Sequence, residues 1–590
     1  MLGNKAVARG MWEAGCDFVS SYPGTPSTEI TEEAVKFDEI FCEWAPNEKV
    51  ALEAAFGASL SGHRAASCMK HVGLNVAADP LFSISYIGVE GGLVICVADD
   101  PGMHSSQNEQ DSRHYAIGSK LPMLEPSDSG EARDYTKLAF ELSERFHTPV
   151  FLRMVMRVCH SQSVVELHDR EEVTPKPYVK DQSRVMLPAQ AKKAHVRVEQ
   201  RTKDLIAWAE ESAINRVDGG ESHEIGFVTS GISYEYVKEV FGDTYPVLKL
   251  GMVNPLPEKK IRDFAASVGK VIVVEELDPV LETQIRALGI QNVEGKSRFP
   301  MVDEFSQQVV RTCMGCELPE TSALEDAIPG RPPVMCAGCP HRGLFYTLKK
   351  LGCNVYGDIG CYTLGSFAPL NAMDLNVCMG ASLSGMHGFL KASGGEYDHR
   401  MVGVIGDSTF MHSGMTGLAD IVYNDSASTV IILDNSITGM TGHQQNPTTG
   451  YSIKGEPAAK VDLEALCRAM GVRHVRVCDP YNLKDTEDAV KEGLALDEPS
   501  VIISRRPCAL LKGVPRKAAL TVTVDKCRGC RSCMKIGCPA ISFEGAAGKG
   551  KARIDAQQCQ GCGVCTQMCP FGAIEVPAQA NETAKGGNPA

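Results

Sequence analysis

Two runs of cysteines near the end of the chain have the spacing of metal-cluster ligands. The first is "CRGCRSCMKIGCP" at 527–539, and the second is "CQGCGVCTQMCP" at 559–570. In each run three cysteines stand three residues apart, and a fourth lies next to a proline. Paired runs of this kind are typical of a bacterial-type two-cluster ferredoxin, in which the fourth cysteine of each run binds the other cluster.

This exchange of fourth cysteines predicts two sets of [4Fe–4S] ligands. They are Cys527, Cys530, Cys533 and Cys569 for one cluster, and Cys559, Cys562, Cys565 and Cys538 for the other. The first run has four residues rather than three before its last cysteine, which predicts a small bulge there. A pair of structural zinc sites is the alternative, but the doubled Cys-Pro signature favours clusters.

Clusters carry electrons, so the rest of the chain must contain a source of electrons. The apolar strand "RMVGVIG" leads into Gly406, Asp407 and Ser408. The next apolar strand, "STVIILD", ends at Asn435, which is 28 residues beyond Asp407. A Gly-Asp-Ser turn with an asparagine at this distance resembles the thiamine diphosphate motif.

The chemistry of a diphosphate requires such an arrangement. A diphosphate is anionic and binds through a hard cation such as Mg²⁺, which takes oxygen ligands in octahedral geometry. Asp407, Asn435 and the carbonyl of Ile437 would supply three of these oxygens, at the carboxyl ends of parallel strands where open α/β sheets bind ligands. The alternative is a strand-to-helix turn with Asp407 as an N-cap. Thiamine diphosphate decarboxylates 2-oxo acids and yields electrons that clusters can accept.

The segments around these residues predict a multidomain α/β protein. "GLVICVADD" and "PVFLRMVMRV" are typical of buried parallel strands, and "EKVALEAAFGASLSG" has helical spacing of apolar residues. Residues 160–222 are predicted to be a polar connection followed by the helix "RTKDLIAWAEES". A smaller α/β unit follows, with strands "EIGFVTSG", "PVLKLG" and "KVIVVEE". The proline-rich "EDAIPGRPPV" at 325–334 is a predicted boundary before a third α/β unit.

Length and composition agree with this organisation. At 590 residues, the chain has room for about four domains. Its net charge of -14 argues against a nucleic-acid surface. The N-terminus lacks the pattern of a signal peptide, and no apolar run reaches the length of a membrane span. In a reducing cytoplasm, the expected location, 23 cysteines indicate metal binding, catalysis or packing rather than disulfides.

Several stretches resemble the large (α) subunits of indolepyruvate ferredoxin oxidoreductases, within the 2-oxoacid:ferredoxin oxidoreductase family. Besides the metal motif and the cysteine runs, the resemblance covers "YPGTPSTEI" (22–30), "NEKVALEAAFGASLSG" (47–62), "MKHVGLNVAADP" (69–80), "DDPGMHSSQNEQDSR" (99–113), "CAGCPHRG" (336–343) and "GDIGCYTLG" (357–365). It implies two doubly wound domains of the thiamine diphosphate-binding type. It further implies a transketolase-C-terminal-like α/β domain and a two-cluster ferredoxin domain.

With these domains, the expected boundaries are as follows. The pyrimidine-binding domain spans 1–185, the transketolase-C-terminal-like domain 186–320, the diphosphate-binding domain 321–515, and the ferredoxin domain 516–576. Residues 577–590 are expected to be a disordered tail.

The resemblance also assigns residues around the cofactor. Glu48 matches the carboxylate that hydrogen-bonds the aminopyrimidine, although a glutamate at a helix start can be merely a favourable charge near the dipole. Thr25 matches a threonine that faces the substrate, with an N-cap of the helix "STEITEEAV" as the alternative. His71 is expected near the cofactor, and His341, Gly406 and Ser408 are expected to contact it.

A third cluster is implied in the same way. Cys336, Cys339, Cys361 and Cys508 match four cysteines that hold a proximal [4Fe–4S] cluster beside the thiamine in many relatives. A CxxC pair alone could instead bind zinc or be a spare pair of thiols. Cys313 and Cys316 form another CxxC pair to which no role is assigned.

The implied activity converts an aryl 2-oxo acid, coenzyme A and oxidised ferredoxin into an aryl-acetyl-CoA, carbon dioxide and reduced ferredoxin. Because no γ-type domain is present, a separate β (γ-type) subunit in an (αβ)2 heterotetramer is expected. A non-redox thiamine-dependent decarboxylase is one alternative, which the cysteine-rich tail disfavours. An electron-transfer subunit without catalysis is another, which the presence of Glu48, Asp407 and Asn435 disfavours.

Overall fold

The computed structural model describes residues 1–320, 328–546 and 548–577. The chain divides into two compact units, Met1–Glu325 and Asp326–Ala590. Within the described ranges, no helix combines the length and the apolar character that crossing a bilayer requires. Residues 577–590 are predicted to be disordered, and apart from Pro577 they lie outside the described residues.

The first unit contains twelve strands and thirteen helices among its described residues. The strands are β1 Phe18–Ser21, β2 Phe41–Trp44, β3 Ala65–Lys70, β4 Leu93–Asp99, β5 Met123–Leu124, β6 Val150–Val155, β7 Asn215–Asp218, β8 Ile225–Thr229, β9 Val247–Leu250, β10 Met252–Asn254, β11 Lys270–Val274 and β12 Val293–Glu294. The helices are α1 Gly3–Glu13, α2 Thr28–Ala34, α3 Glu48–Leu60, α4 His71–Val76, α5 Ala78–Ile87, α6 Arg113–Ser119, α7 Ser129–Phe146, α8 Met156–His160, α9 Pro188–Glu211, α10 Gly231–Phe241, α11 Glu258–Ser267, α12 Val280–Ala287 and α13 Gln307–Met314. A short 3₁₀ turn covers Gln182–Arg184.

These strands form two sheets. The larger has the order β10-β5-β6-β4-β3-β1-β2 and is parallel except for β10, which pairs antiparallel with β5. The smaller has the order β12-β11-β8-β9-β7, with β7 antiparallel to β9. Strands β3, β4 and β6 are buried along their whole length, as expected of a parallel sheet covered on both faces. One apolar cluster includes residues from both sheets, such as Leu93 and Val271.

The second unit contains a parallel sheet and a small cysteine-rich part. Its strands are β13 Asn354–Tyr356, β14 Met401–Gly406, β15 Thr429–Asp434, β16 His474–Cys478, β17 Ser500–Arg505, β18 Thr521–Val522, β19 Ile541–Glu544, β20 Lys551–Ile554 and β21 Ile574–Glu575. Its helices are α14 His341–Leu351, α15 Ala381–Ser393, α16 Asp407–Thr409, α17 Met415–Tyr423, α18 Leu463–Ala469, α19 Leu483–Leu494 and α20 Val564–Met568. A π-helical turn at Phe410–Gly414 joins α16 to α17, and 3₁₀ turns cover Cys361–Ser366 and Ser532–Ile536.

The parallel sheet has the order β13-β14-β15-β17-β16. In the cysteine-rich part, β18 pairs with β21 and β19 with β20, both antiparallel. Its small core includes cysteines alongside aliphatic residues such as Leu520 and Ile574.

Two predicted elements differ in their bounds. The helix predicted from residue 201 begins at Pro188, so the polar segment before it is largely helical. The predicted strand "PVFLRMVMRV" ends at Val155, and its last residues start α8. Of the predicted boundary at 325–334, residues 325–327 lie outside the described residues, and 328–334 form no helix or strand.

Candidate active site

In the first unit, the predicted site residues lie at the carboxyl edge of the larger sheet. Thr25 follows β1, and His71 begins α4 directly after the neighbouring β3. The Ser105 hydroxyl donates a hydrogen bond to the Thr25 carbonyl (3.2 Å), and the Lys70 ammonium group donates to the Ser105 carbonyl (2.6 Å). Burial lowers the pKa of Lys70 to about 8 and also lowers the pKa of His71, so the His71 imidazole is neutral at pH 7.

The alternative role of Thr25 as a helix cap is wrong. Helix α2 begins at Thr28, and the residue at its N-cap position is Ser27. Thr25 therefore precedes the helix and is half-buried beside the loop that contains Ser105.

Glu48 is buried in the first turn of α3. The Asn47 side chain caps this helix by accepting a hydrogen bond from the Val50 amide (2.9 Å). Gly73 of α4 lies against the Glu48 side chain so closely that a Cβ atom at Gly73 would be 2.4 Å from Glu48 Oε1. Since Glu48 is only 5% exposed, it is more than a solvated charge at a helix end.

In the second unit, Asp407 lies at the carboxyl end of β14. One carboxylate oxygen accepts the Ser408 amide (2.7 Å), and the other accepts the Ser436 amide (2.9 Å) and the Thr448 hydroxyl (3.4 Å). Burial, and next the nearby Asp434 carboxylate, raise the pKa of Asp407 to about 7. A bound cation would oppose both effects, so this carboxylate fits a metal ligand.

Asn435 and Ile437 follow the neighbouring strand β15. Asn435 is buried, and its side-chain oxygen accepts the Ile437 amide (3.3 Å). Between them Ser436 has a φ of 59°, which turns the chain sharply next to Asp407. The Thr438 hydroxyl donates to the Ser408 hydroxyl (2.9 Å) and so links the two strand ends. The oxygen-rich set of Asp407, Asn435 and the Ile437 carbonyl fits Mg²⁺.

The Tyr362 ring packs against both His341 and Gly406. The His341 ring is buried and packs edge-on against the Tyr362 ring, with 6.0 Å between centroids. Burial lowers the pKa of His341 to about 4. A Cβ atom at Gly406 would be 2.8 Å from the Tyr362 ring, so the close approach of this ring requires glycine.

The carboxylate of Asp358, a residue that the sequence patterns did not single out, anchors the start of α15. Its carboxylate accepts the amides of Gly380 (2.9 Å) and Ser382 (3.1 Å), and burial raises its pKa to about 6. It stands in "GDIGC" at 357–361, so a Gly-Asp pair after a short strand was the available signal.

The cysteines of the cysteine-rich tail, residues 516–576, line two cavities in the sets of four that the sequence predicts. One cavity is lined by Cys527, Cys530, Cys533 and Cys569, and the other by Cys538, Cys559, Cys562 and Cys565. Backbone amides point at their sulfurs: Leu520 and Gly561 donate to Cys559 Sγ (both 3.4 Å), and Ala573 donates to Cys569 Sγ (3.3 Å). Such amide donors stabilise the charged sulfurs of a bound cluster.

The cysteines of the predicted proximal set lie near enough to influence one another electrostatically. Burial raises the pKa of Cys339 to about 12 and that of Cys361 to about 11, and neighbouring members of the set add to both shifts. Cys508, whose pKa is raised by burial and then by Cys336, lies beside the predicted diphosphate site, since its amide donates to the Asn435 carbonyl (2.9 Å). Cys313 and Cys316 lie in the other unit, at the end of α13.

Within the part of the chain that the structure describes, no three His, Cys, Asp or Glu side chains converge on a point that could hold a single metal ion. The cysteine sets do not require such convergence, because each cysteine of a [4Fe–4S] site binds its own iron. The candidate Mg²⁺ site contains only one of these four residue types, Asp407, beside an amide and a carbonyl oxygen.

Three family models match the chain. They are "Pyruvate flavodoxin/ferredoxin oxidoreductase, thiamine diP-bdg" at residues 9–224, "Thiamine pyrophosphate enzyme, C-terminal TPP binding domain" at 358–504, and "4Fe-4S dicluster domain" at 526–573. These matches confirm the predicted α/β multidomain fold class. They define a thiamine diphosphate-dependent oxidoreductase chain with a [4Fe–4S] dicluster domain.

Full-length relatives specify the family. The indolepyruvate oxidoreductase subunit IorA of Archaeoglobus fulgidus is 41% identical over 98% of both chains. The corresponding subunit of Thermococcus kodakarensis is 40% identical over 98% of this chain and 96% of its own. That of Methanothermobacter thermautotrophicus is 39% identical over 98% and 97%. The chain belongs to the indolepyruvate oxidoreductase subunit IorA family.

Proposed function

We propose that the chain is the thiamine diphosphate-binding subunit of an enzyme that oxidatively decarboxylates aryl 2-oxo acids, indolepyruvate among them. With coenzyme A, the products are an aryl-acetyl-CoA, carbon dioxide and electrons for ferredoxin. One observation carries this proposal: within the second unit, Cys508 is hydrogen-bonded to Asn435, so a cysteine set adjoins the predicted diphosphate site. The proposed source of electrons, thiamine diphosphate, would thereby adjoin the proposed cluster that accepts them.

The diphosphate would bind through Mg²⁺ held by Asp407, Asn435 and the Ile437 carbonyl. Gly406 and Ser408 would let the backbone approach the phosphate oxygens, and His341 would contact the cofactor as a neutral imidazole. When bound, thiamine diphosphate supplies the chemistry that cleaves the bond to the carboxylate and retains the electrons.

Glu48 would hold a proton at the aminopyrimidine ring, in the role that the resemblance assigns to it. Thr25 would face the substrate, and the neutral His71 would lie near the cofactor. These three roles are supported by position, because all three residues lie at the edge of the larger sheet or in the helix next to it.

Gly73→Ala should lower turnover at least tenfold. The added methyl group would displace the Glu48 carboxylate, and misplacement of a reacting group by about 1 Å can cost up to a hundredfold in rate. The assay measures kcat together with thiamine diphosphate content. Gly57→Ala, on α3, is the control, because a Cβ atom there meets no atom within 4 Å. Equal activity of the two variants would argue against a role of Glu48 in catalysis.

We propose three [4Fe–4S] clusters: two in the tail and one at Cys336, Cys339, Cys361 and Cys508. Three clusters correspond to about twelve irons per chain, and two to about eight. Cys508→Ala should therefore remove about four irons and slow reduction of the tail clusters, while carbon dioxide exchange at the thiamine is largely kept. Iron analysis of anaerobically purified protein measures this change. A count near eight in the fully loaded, unmodified protein would leave these cysteines without a cluster.

The partners follow from the proposed reaction. The relatives are named as subunits, which supports a partner subunit. We propose that the partner is a separate β (γ-type) subunit in an (αβ)2 heterotetramer. Ferredoxin would be the acceptor, and coenzyme A and the aryl 2-oxo acid the substrates. We also propose the cytoplasm as the location, and the four-domain division at 185, 320 and 515.

The test is an anaerobic assay of the complex with a panel of 2-oxo acids and coenzyme A, following reduction of ferredoxin or a dye. Aryl-acetyl-CoA formation coupled to reduction supports the proposal. Release of an aldehyde without reduction would identify a non-redox decarboxylase instead. Reduction by other donors but by no 2-oxo acid would identify an electron-transfer subunit.

A further inference from the structure

Arg342, the second residue of α14, joins two cysteine-bearing loops of the second unit. Its guanidinium donates to the carbonyls of Cys336 (3.1 Å) and Met335 on one side. On the other side it donates to the carbonyls of Ile536 (3.2 Å) and Gly537 (2.5 Å), just before Cys538. One side chain thus contacts the loop of the proximal set and the loop of the tail.

The guanidinium is buried among thiols. Arg342 is 5% exposed, and it lines the cavity that contains Cys538, Cys559, Cys562 and Cys565, together with Cys339. Burial lowers the pKa of Arg342, and the nearby thiols oppose part of this shift. Because an arginine side chain keeps its proton in proteins, a full positive charge lies at this junction.

We propose that Arg342 is a positioning residue whose buried charge raises the reduction potential of the tail cluster bound by Cys538, Cys559, Cys562 and Cys565. This inference rests on the proposed function, since it concerns clusters that the cysteine sets would hold. The same side chain keeps the tail and the 336–339 loop at a fixed separation.

The physical reason is charge. A [4Fe–4S] cluster that takes up one electron gains one negative charge, and no proton need move at the protein. Net charge and hydrogen bonds around a cluster set its potential. A cation in a poorly solvated site acts more strongly on that charge than an exposed one, which water and salt screen.

Other hydrogen bonds also connect the 336–339 loop and the cysteine-rich tail through Tyr481. They make it possible to separate the effect of losing a contact from the effect of losing the positive charge of Arg342. The Tyr481 hydroxyl donates to the Gly338 carbonyl (2.5 Å), and the Gln567 side chain of the tail donates to the Tyr481 carbonyl (2.6 Å). Tyr481→Phe therefore removes a docking contact without changing any charge.

The experiment is an EPR-monitored redox titration of the holo complex. In Arg342→Met, one midpoint should become more negative, by at least the equivalent of a tenfold change in the reduced fraction, about 59 mV for a one-electron couple. Arg342→Lys keeps the positive charge, so its midpoint should stay close to that of the unmodified protein. Arg516→Met is the matched control, because Arg516 also donates to the Cys559 carbonyl (3.1 Å) but is exposed. It and Tyr481→Phe should shift the midpoint much less.

Each outcome decides the proposal. Unchanged midpoints in Arg342→Met with full iron content would overturn it. Where that variant loses iron, Arg342→Gln is titrated instead, because it keeps donors for the carbonyls without the charge. Iron loss in both neutral variants but not in Arg342→Lys supports a required charge, whereas loss in all three shows a packing role and overturns the proposal. An iron count near eight in the unmodified protein would remove the proximal cluster but leave the tail midpoint as the test of Arg342.

Discussion

Asp407→Ala is expected to abolish binding of thiamine diphosphate. Without this carboxylate the Mg²⁺ ion loses a ligand, and the diphosphate charge is left without compensation. Removing one partner of a buried charge pair costs about 3–5 kcal/mol, which is more than a hundredfold in Kd. The measurement is a binding titration with thiamine diphosphate and Mg²⁺, together with the cofactor content of the purified protein.

Asp420→Ala provides the control for this experiment. Asp420 is an exposed carboxylate on α17, and its replacement should leave cofactor binding unchanged. In the unmodified protein, binding should weaken as the pH falls below about 7, because the raised pKa of Asp407 lets a proton compete with the metal. Full cofactor content and full activity in Asp407→Ala would show that the metal binds elsewhere.

Glu48→Gln should retain the cofactor but lose most of the turnover. Glutamine has nearly the same size and still packs against Gly73, but it cannot take part in proton transfer at the aminopyrimidine. Loss of a positioned acid or base typically lowers the rate by about 10²–10⁴-fold. The assay compares kcat with cofactor content in the same preparation.

A matched substitution on the same helix separates catalysis from helix stability. Glu53 is exposed on α3 and pairs with Lys49, so Glu53→Gln should change turnover little. If Glu48→Gln worked at the rate of the unmodified protein, Glu48 would be only a buried charge at the start of α3.

The sequence predicts those features that depend on local spacing. The cysteine runs, the strands before Asp407 and Asn435 and helix α3 follow from patterns of a few residues. Helix α9 was only partly predicted because its first half is polar. Its buried residues, Ala194, Val198, Leu205 and Ala209, nevertheless recur at helical intervals, which is the signal that the whole helix contained.

Features that depend on distant segments could not be predicted from the sequence. The closeness of Gly73 to Glu48 requires α4 to lie against the start of α3. The place of Arg342 requires the tail to return to the start of α14, across nearly 200 residues of chain. In each case the residue types alone are ordinary, and the fold makes them neighbours.

The pairing of β10 with β5 has a consequence for how the protein is made. Strand β5 cannot complete its ladder until β10, about 130 residues later, has left the ribosome, which takes roughly 6–25 s at about 5–20 residues per second. During that interval, the outer edge of β5 is an open template for pairing with other chains. A fragment ending at residue 185 would lack Met252–Asn254 and would therefore keep this edge of β5 unpaired.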